Sequence, residues 1–181
     1  MATNKKMEND IMQSHAQNGT RAEEYRSLIP QIAGLIAGED NLTGILANVS
    51  AALRSAFGER FFWTGFYLRE GDELLLGPFQ GTVACYRIGY GRGVCGTAWA
   101  QDKTIIVDDV EQFAGHIACS SLSRSEIVVP LHDASGNVAG VLDIDSTDLA
   151  AFDADDQEGL ESICHLLTPL FTKHSDNRQE P

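Results

Sequence analysis

Four cysteines and a set of closely spaced carboxylates are the residues of this 181-residue chain best equipped for chemistry. Cys164 falls with Leu160, Ile163, Leu167 and Leu170 at helical spacing, so it reads as a small hydrophobe on an apolar stripe. The other three, Cys85, Cys95 and Cys119, sit in glycine-rich or loop-like stretches, where functional residues concentrate. Cys95 follows Gly91-Arg92-Gly93 at the start of an expected helix, and a helix N-terminus with an arginine beside it favours thiolate over thiol. Cys119 lies in Gly115-His116-Ile117-Ala118-Cys119-Ser120-Ser121, whose small residues leave backbone N–H groups available to an anion. Cys85 is expected on a strand, held in place while a loop moves toward it. Three readings compete for these thiols: unconnected core filler, redox chemistry, or a zinc site built from Cys85, Cys95, His116 and Cys119. The zinc set has suitable ligand types, but it lacks the Cys-x-x-Cys knuckle that would make it specific. His116 either orients a thiol or caps a turn, and its type alone does not choose.

The carboxylates Glu126, Asp143 and Asp145 fall on two segments, EIVVPL (126–131) and NVAGVLDID (137–145), that read as a hairpin across His132-Asp133-Ala134-Ser135-Gly136. Alternate strand residues share a face, so Asp143 and Asp145 point the same way. If the loop closes symmetrically, Leu131 faces Val138 and Glu126 faces Asp143. Like charges so opposed are destabilising. The cluster must then bind a cation or keep a carboxyl protonated, which makes it an ammonium receptor or a source of a general acid. The bland alternative is a solvated acidic face, consistent with eight acids and no Lys or Arg between Leu142 and Thr172. Trp63 and Tyr67 share a strand face, as core residues or as walls of a ligand site. Trp99 reads as core.

These residues must be carried by a modest set of elements. Spacings of three and four mark a helix from Glu23 and a second from Leu42 to Phe57, stopped by Gly58. FFWTGFYL (61–68) and ELLLG (73–77) flank a turn at Arg69-Glu70-Gly71-Asp72. GTVACYRI (81–88) reads as a further strand, then a short helix at TAWAQ and a strand at TIIVDD (104–109). Residues 110–124 read as a long loop, and a last helix runs from about Asp153 to Lys173. The expectation is an α+β domain over 21–174, with a mostly antiparallel sheet of about six strands, between flexible tails at 1–20 and 175–181. With 13 Lys+Arg against 26 Asp+Glu the net charge is −13, which argues against a nucleic-acid partner. No apolar run nears the roughly 20 residues of a membrane span, and the N-terminal stretch lacks the apolar core of a signal peptide. A cytoplasmic protein with free thiols is therefore expected.

The strings WTGFYL, LGPFQGTVACYRI, GRGVCGTA, GHIACSSLSRSEIVVPL and GVLDIDS resemble, in order and spacing, the free methionine-(R)-sulfoxide reductases built on a GAF domain. The likeness spans about residues 25 to 172. It implies reduction of free methionine-(R)-sulfoxide, with Cys119 as the attacking thiol, Cys85 as the principal resolving thiol and Cys95 as a second recycling cysteine. It implies further that Glu126, Asp143 and Asp145 hold the substrate ammonium, and that one of them protonates or hydrogen-bonds the sulfoxide oxygen. Trp63 and Tyr67 would wall the methyl group, and backbone N–H groups near Ile117, Ala118 and Cys119 would take the carboxylate. A thioredoxin-like dithiol reductant and a homodimer are the implied partners, with no cofactor and no metal. Most GAF domains are small-molecule sensors, which is the rival reading. Ser120 stands where this family usually carries an aspartate.

Overall fold

The structure, a computed structural model, describes residues 19–117 and 119–171. Its helices begin where the sequence supplies caps. Thr20 accepts from the Glu23 N–H while Glu23 Oε2 accepts from the Thr20 N–H at 2.8 Å, and this reciprocal pair starts α1 (Arg21–Ile36). Asn41 caps α2 (Leu42–Phe57) through the Gly44 N–H at 3.1 Å, and Gly58, at φ +57°, turns the chain out of it. Two further helices are α3 (Gly93–Gln101) and α4 (Ala154–Leu167), the latter capped by Asp153. The expected run of the last helix to Lys173 is cut short: α4 gives way to a 3-10 turn at Thr168–Leu170, where Pro169 has no N–H to continue the ladder. Residues 172–181 and 1–18, most of the two expected tails, lie outside the described residues.

Six strands follow the order β3-β2-β1-β6-β5-β4, with every neighbour antiparallel. They are β1 (Trp63–Glu70), β2 (Glu73–Gln80), β3 (Arg87–Gly89), β4 (Ile105–Val107), β5 (Ser125–His132) and β6 (Val138–Ser146). The strand expected over 81–88 is corrected. The ladder with β2 runs over Arg87–Gly89, with one further bond from the Leu76 N–H to the Tyr86 carbonyl at 3.0 Å, and residues 81–86 form an irregular strap. Gly81, at φ +138°, lies so close to Trp63 that a Cβ there would come within 2.6 Å of the indole, which bends the chain off the ladder.

Both faces of the sheet carry buried apolar side chains. One face, through Phe66, Ile127, Val129, Leu142 and Ile144, packs against α1, α2 and α4 in the larger core. The other, through Trp63, Tyr67, Val128 and Val141, packs against α3. Each fully buried Leu, Ile or Phe contributes roughly 1.5–3 kcal/mol of apolar transfer, so the three-helix side supplies most of the stability. Cys164 is buried in that larger core and Trp99 in the smaller one, as their sequence positions suggested.

The register of the β5–β6 hairpin departs from symmetric closure. His132 pairs with Val138, one residue further along than expected, and an extra residue at Ala139 carries the ladder to Leu131↔Gly140. Each displacement is a single residue, so they sum to two. Glu126 therefore faces Asp145, and Asp143 faces Val128. Because the shift is even, all three carboxylates keep the same face.

Candidate active site

The central strands put Trp63 and Tyr67 of β1, Glu126 of β5, and Asp143 and Asp145 of β6 on the sheet face opposite the three helices. A cleft forms there, closed on one side by the strap at Val83 and Ala84. Gly93, Val94 and Cys95 of α3 close another side, and His116, Ile117 and Cys119 of the long loop a third. Trp63 Nε1 donates to the Thr82 carbonyl at 2.9 Å, and the Tyr67 hydroxyl donates to the Cys85 carbonyl at 3.1 Å. Those two bonds hold the strap over the face. Trp63 and Tyr67 are both almost fully buried, their ring centroids 6.0 Å apart.

Cys85 and Cys119 are joined in a disulfide, with Cα atoms 5.4 Å apart across 34 residues of sequence. This removes two ligands of the zinc set considered from sequence. Cys85 is not on a strand; the two aromatic hydrogen bonds position it instead. Cys95 is free and 3% exposed, its Sγ 3.9 Å from Glu126 Oε1. The expected thiolate at the start of α3 is overturned. Burial pushes the Cys95 thiol well above its usual range, and Asp143 and Glu126 beside it add to the effect. A helix terminus offsets only a fraction of that cost.

Glu126 and Asp143 are each 6% exposed. Burial raises both carboxyls well above the ordinary carboxylate range, and mutual repulsion adds to it: Asp143 and Asp145 act on Glu126, and Asp145 acts on Asp143. Asp145 is pushed up to about 6 by burial, against a hydrogen bond from Ser123 that favours its charged form. Asp143 Oδ1 is buried without a hydrogen-bond partner. His116 Nε2 lies 3.9 Å from Glu126 Oε2, and burial lowers the imidazole pKa, so at neutral pH it faces the cluster uncharged. No Lys or Arg lines the cleft among the described residues. The site is an uncompensated acidic pocket with a disulfide in its wall. It can receive a cation, deliver a proton and exchange thiols.

Of the site residues singled out from sequence, all line this cleft except Cys85, which is tied to its wall through the disulfide to Cys119, and Ala118, which lies outside the described residues. Ser123 was missed. Its place beside Asp145 follows from an extension of the β5–β6 ladder, the Arg124 N–H donating to the Ser146 carbonyl at 2.7 Å. No local sequence pattern signals that extension.

A family model described as GAF domain matches residues 39–170. The chain is 58% identical over 150 residues to GAF domain-containing protein A of Dictyostelium discoideum, covering 82% of this chain and 93% of that one. It is 47% identical over 143 residues to the free methionine-R-sulfoxide reductase of Escherichia coli, covering 79% of this chain and 86% of that one. Among solved structures it superposes on the free methionine-R-sulfoxide reductase of Neisseria meningitidis in complex with its substrate. There the TM-score is 0.82 at 49% identity, covering 87% of this chain and 94% of that one.

Proposed function

The chain belongs to the GAF domain family and, within it, to the free methionine-R-sulfoxide reductases, and from that membership we propose that it reduces free L-methionine-(R)-sulfoxide to L-methionine with its own thiols. The observation that carries the proposal is the Cys85–Cys119 disulfide in the wall of a pocket based on Glu126, Asp143 and Asp145. A disulfide there is the product expected of a completed turnover. In the reduced enzyme the Cys119 thiolate attacks the sulfoxide sulfur while a protonated carboxyl of the Glu126–Asp143 pair gives its proton to the sulfoxide oxygen, and that oxygen passes to the cysteine sulfur as its bond to the methionine sulfur breaks. Methionine departs, and Cys119 retains the oxygen as a sulfenic acid. The Cys85 thiol then attacks that sulfur, water leaves, and the disulfide forms. A thioredoxin-like dithiol protein returns the pair to thiols. Cys95, too buried to ionise readily, is the slower, secondary recycling thiol.

Recognition follows from charge. The substrate ammonium enters a pocket of like-charged carboxyls and relieves their repulsion, while backbone N–H groups at Ile117 to Cys119 receive its carboxylate. Trp63 and Tyr67 wall the methyl group. A methionine sulfoxide within a peptide has neither charge and would leave the carboxyls uncompensated, so the enzyme rejects it. The working protein is a cytoplasmic homodimer in this reading.

The test is methionine release from the separated R and S epimers of free methionine sulfoxide, with dithiothreitol as reductant and a sulfoxide-containing peptide alongside. Turnover of the free R epimer alone is expected. No turnover by folded, reduced protein would leave a ligand sensor. Cys119→Ser abolishes reduction, and Cys85→Ser releases about one methionine per chain before stalling with a dithiol protein. Glu126→Gln and Asp143→Asn each lower kcat/KM by roughly a hundredfold at neutral pH, the ordinary yield of a positioned acid.

A further inference from the structure

Three ligand-type atoms meet at the buried end of the cleft. One each from Cys95, Glu126 and Asp143 lie within 4.8 Å of one another, and all three residues are buried. Cys95 Sγ and Glu126 Oε1 are 3.9 Å apart. In a tetrahedral zinc centre, with bonds of 2.3 Å to sulfur and 2.0–2.2 Å to oxygen, neighbouring ligand atoms stand about 3.4–3.7 Å apart. Closing the triangle onto an ion thus asks for side-chain movements of under about 1 Å.

A second observation points to a ligand here. Asp143 Oδ1 is buried with no hydrogen-bond partner, an arrangement that native interiors rarely keep without a counterpart. An ammonium group would satisfy the oxygens but has nothing to gain from the thiol. A borderline-soft divalent ion uses all three atoms, and a thiolate with two carboxylates offsets its charge in a pocket that no Lys or Arg lines among the described residues. His116 Nε2 lies 3.9 Å from Glu126 Oε2, beside the group and outside it.

We propose that Cys95, Glu126 and Asp143 form a binding site for a zinc-type divalent ion, occupied in exclusion of the amino-acid substrate. Binding exchanges the thiol proton and any carboxyl proton for the ion, with no change of oxidation state. Cys95 is outside the Cys85–Cys119 disulfide, so the site persists when that pair is oxidised. The exclusion rests on the proposed ammonium role of the carboxyls; the ion site does not.

Cobalt(II) titrated into the full-length chain, its Cys85–Cys119 disulfide intact, gives a direct readout through thiolate-to-cobalt charge transfer. The expected result is one equivalent per chain, with the band displaced by zinc. It is lost in Cys95→Ser and shifted at least about tenfold to weaker binding in Asp143→Asn and Glu126→Gln, which keep the thiol. Circular dichroism confirms that each variant is folded. No band from folded wild-type protein overturns the site, and so does a band retained in Cys95→Ser, which would belong to Cys164. Free methionine-(R)-sulfoxide should bleach the band. A band that forms as expected but resists saturating sulfoxide upholds the ion site and overturns the ammonium assignment instead.

Discussion

At the scale of single residues, the site is governed by what burial does to acids. Asp145 keeps its proton to about pH 6 in the folded chain, whereas an unfolded chain releases it near 4. Between those values the folded state binds more protons than the unfolded one. Stability therefore falls as pH rises through that window, and the penalty is complete above it. Asp145→Asn should raise the stability of the ligand-free protein by on the order of 1 kcal/mol at about pH 7, and by almost nothing at about pH 3. Urea unfolding at both pH values checks this; an equal gain at both would assign the effect to packing rather than ionisation. Residue types alone pointed to these carboxyls, because Asp143 and Asp145 alternate on one strand. They misled for Cys95, where a helix start suggested a reactive thiol. The desolvation that reverses that expectation depends on α3 packing against β5 and β6, a long-range contact that composition does not encode.

At the scale of elements, helix packing sets tight limits. Gly159 on α4 lies against the Tyr25 ring of α1, and a Cβ there would overlap the ring outright. Alanine gains about 1 kcal/mol in helix propensity over glycine. Overpacking costs about 1–3 kcal/mol, and here the obstacle is a ring anchored to Asp156, so the cost wins. Gly159→Ala is expected to lower the thermal midpoint. A higher midpoint would mean that α1 can slide to make room. Most elements were legible in the sequence because their signals are local: Gly58 stops α2, Asp153 stands at the start of α4, and hydrophobic periods mark helices and strands, although the cap at Thr20 fell in the stretch read as a tail. Residues 81–86 were not legible. Their alternation suits a strand, yet Trp63 and Tyr67, remote in sequence, capture their carbonyls. The hairpin register failed for a related reason, since an extra residue at Ala139 leaves no mark on the hydrophobic pattern.

At the scale of the molecule, one buried carboxylate joins distant parts of the chain. Asp156, fully buried, accepts from the Tyr25 hydroxyl at 2.9 Å, from Arg60 at 2.9 Å and from Arg21 at 3.1 Å. It thereby ties α1, the segment after α2 and α4 together. Removing one partner of such a network strands the remaining charges, at a cost of about 3–5 kcal/mol. Asp156→Ala should lose about that much stability by denaturant unfolding, with the proposed chemistry at Cys119 spared in whatever fraction stays folded. A loss below about 1 kcal/mol would show that water replaces the carboxylate. The division of the sheet's two faces reaches further. On β1, β5 and β6, Phe66, Ile127, Val129, Leu142 and Ile144 turn toward the helices, while Trp63, Tyr67, Glu126, Asp143 and Asp145 turn toward the cleft. The larger core and the proposed chemistry lie on opposite sides of the same three ribbons. A combinatorial library confined to Glu126, Asp143 and Asp145 would explore new ligands while leaving both apolar cores as they are.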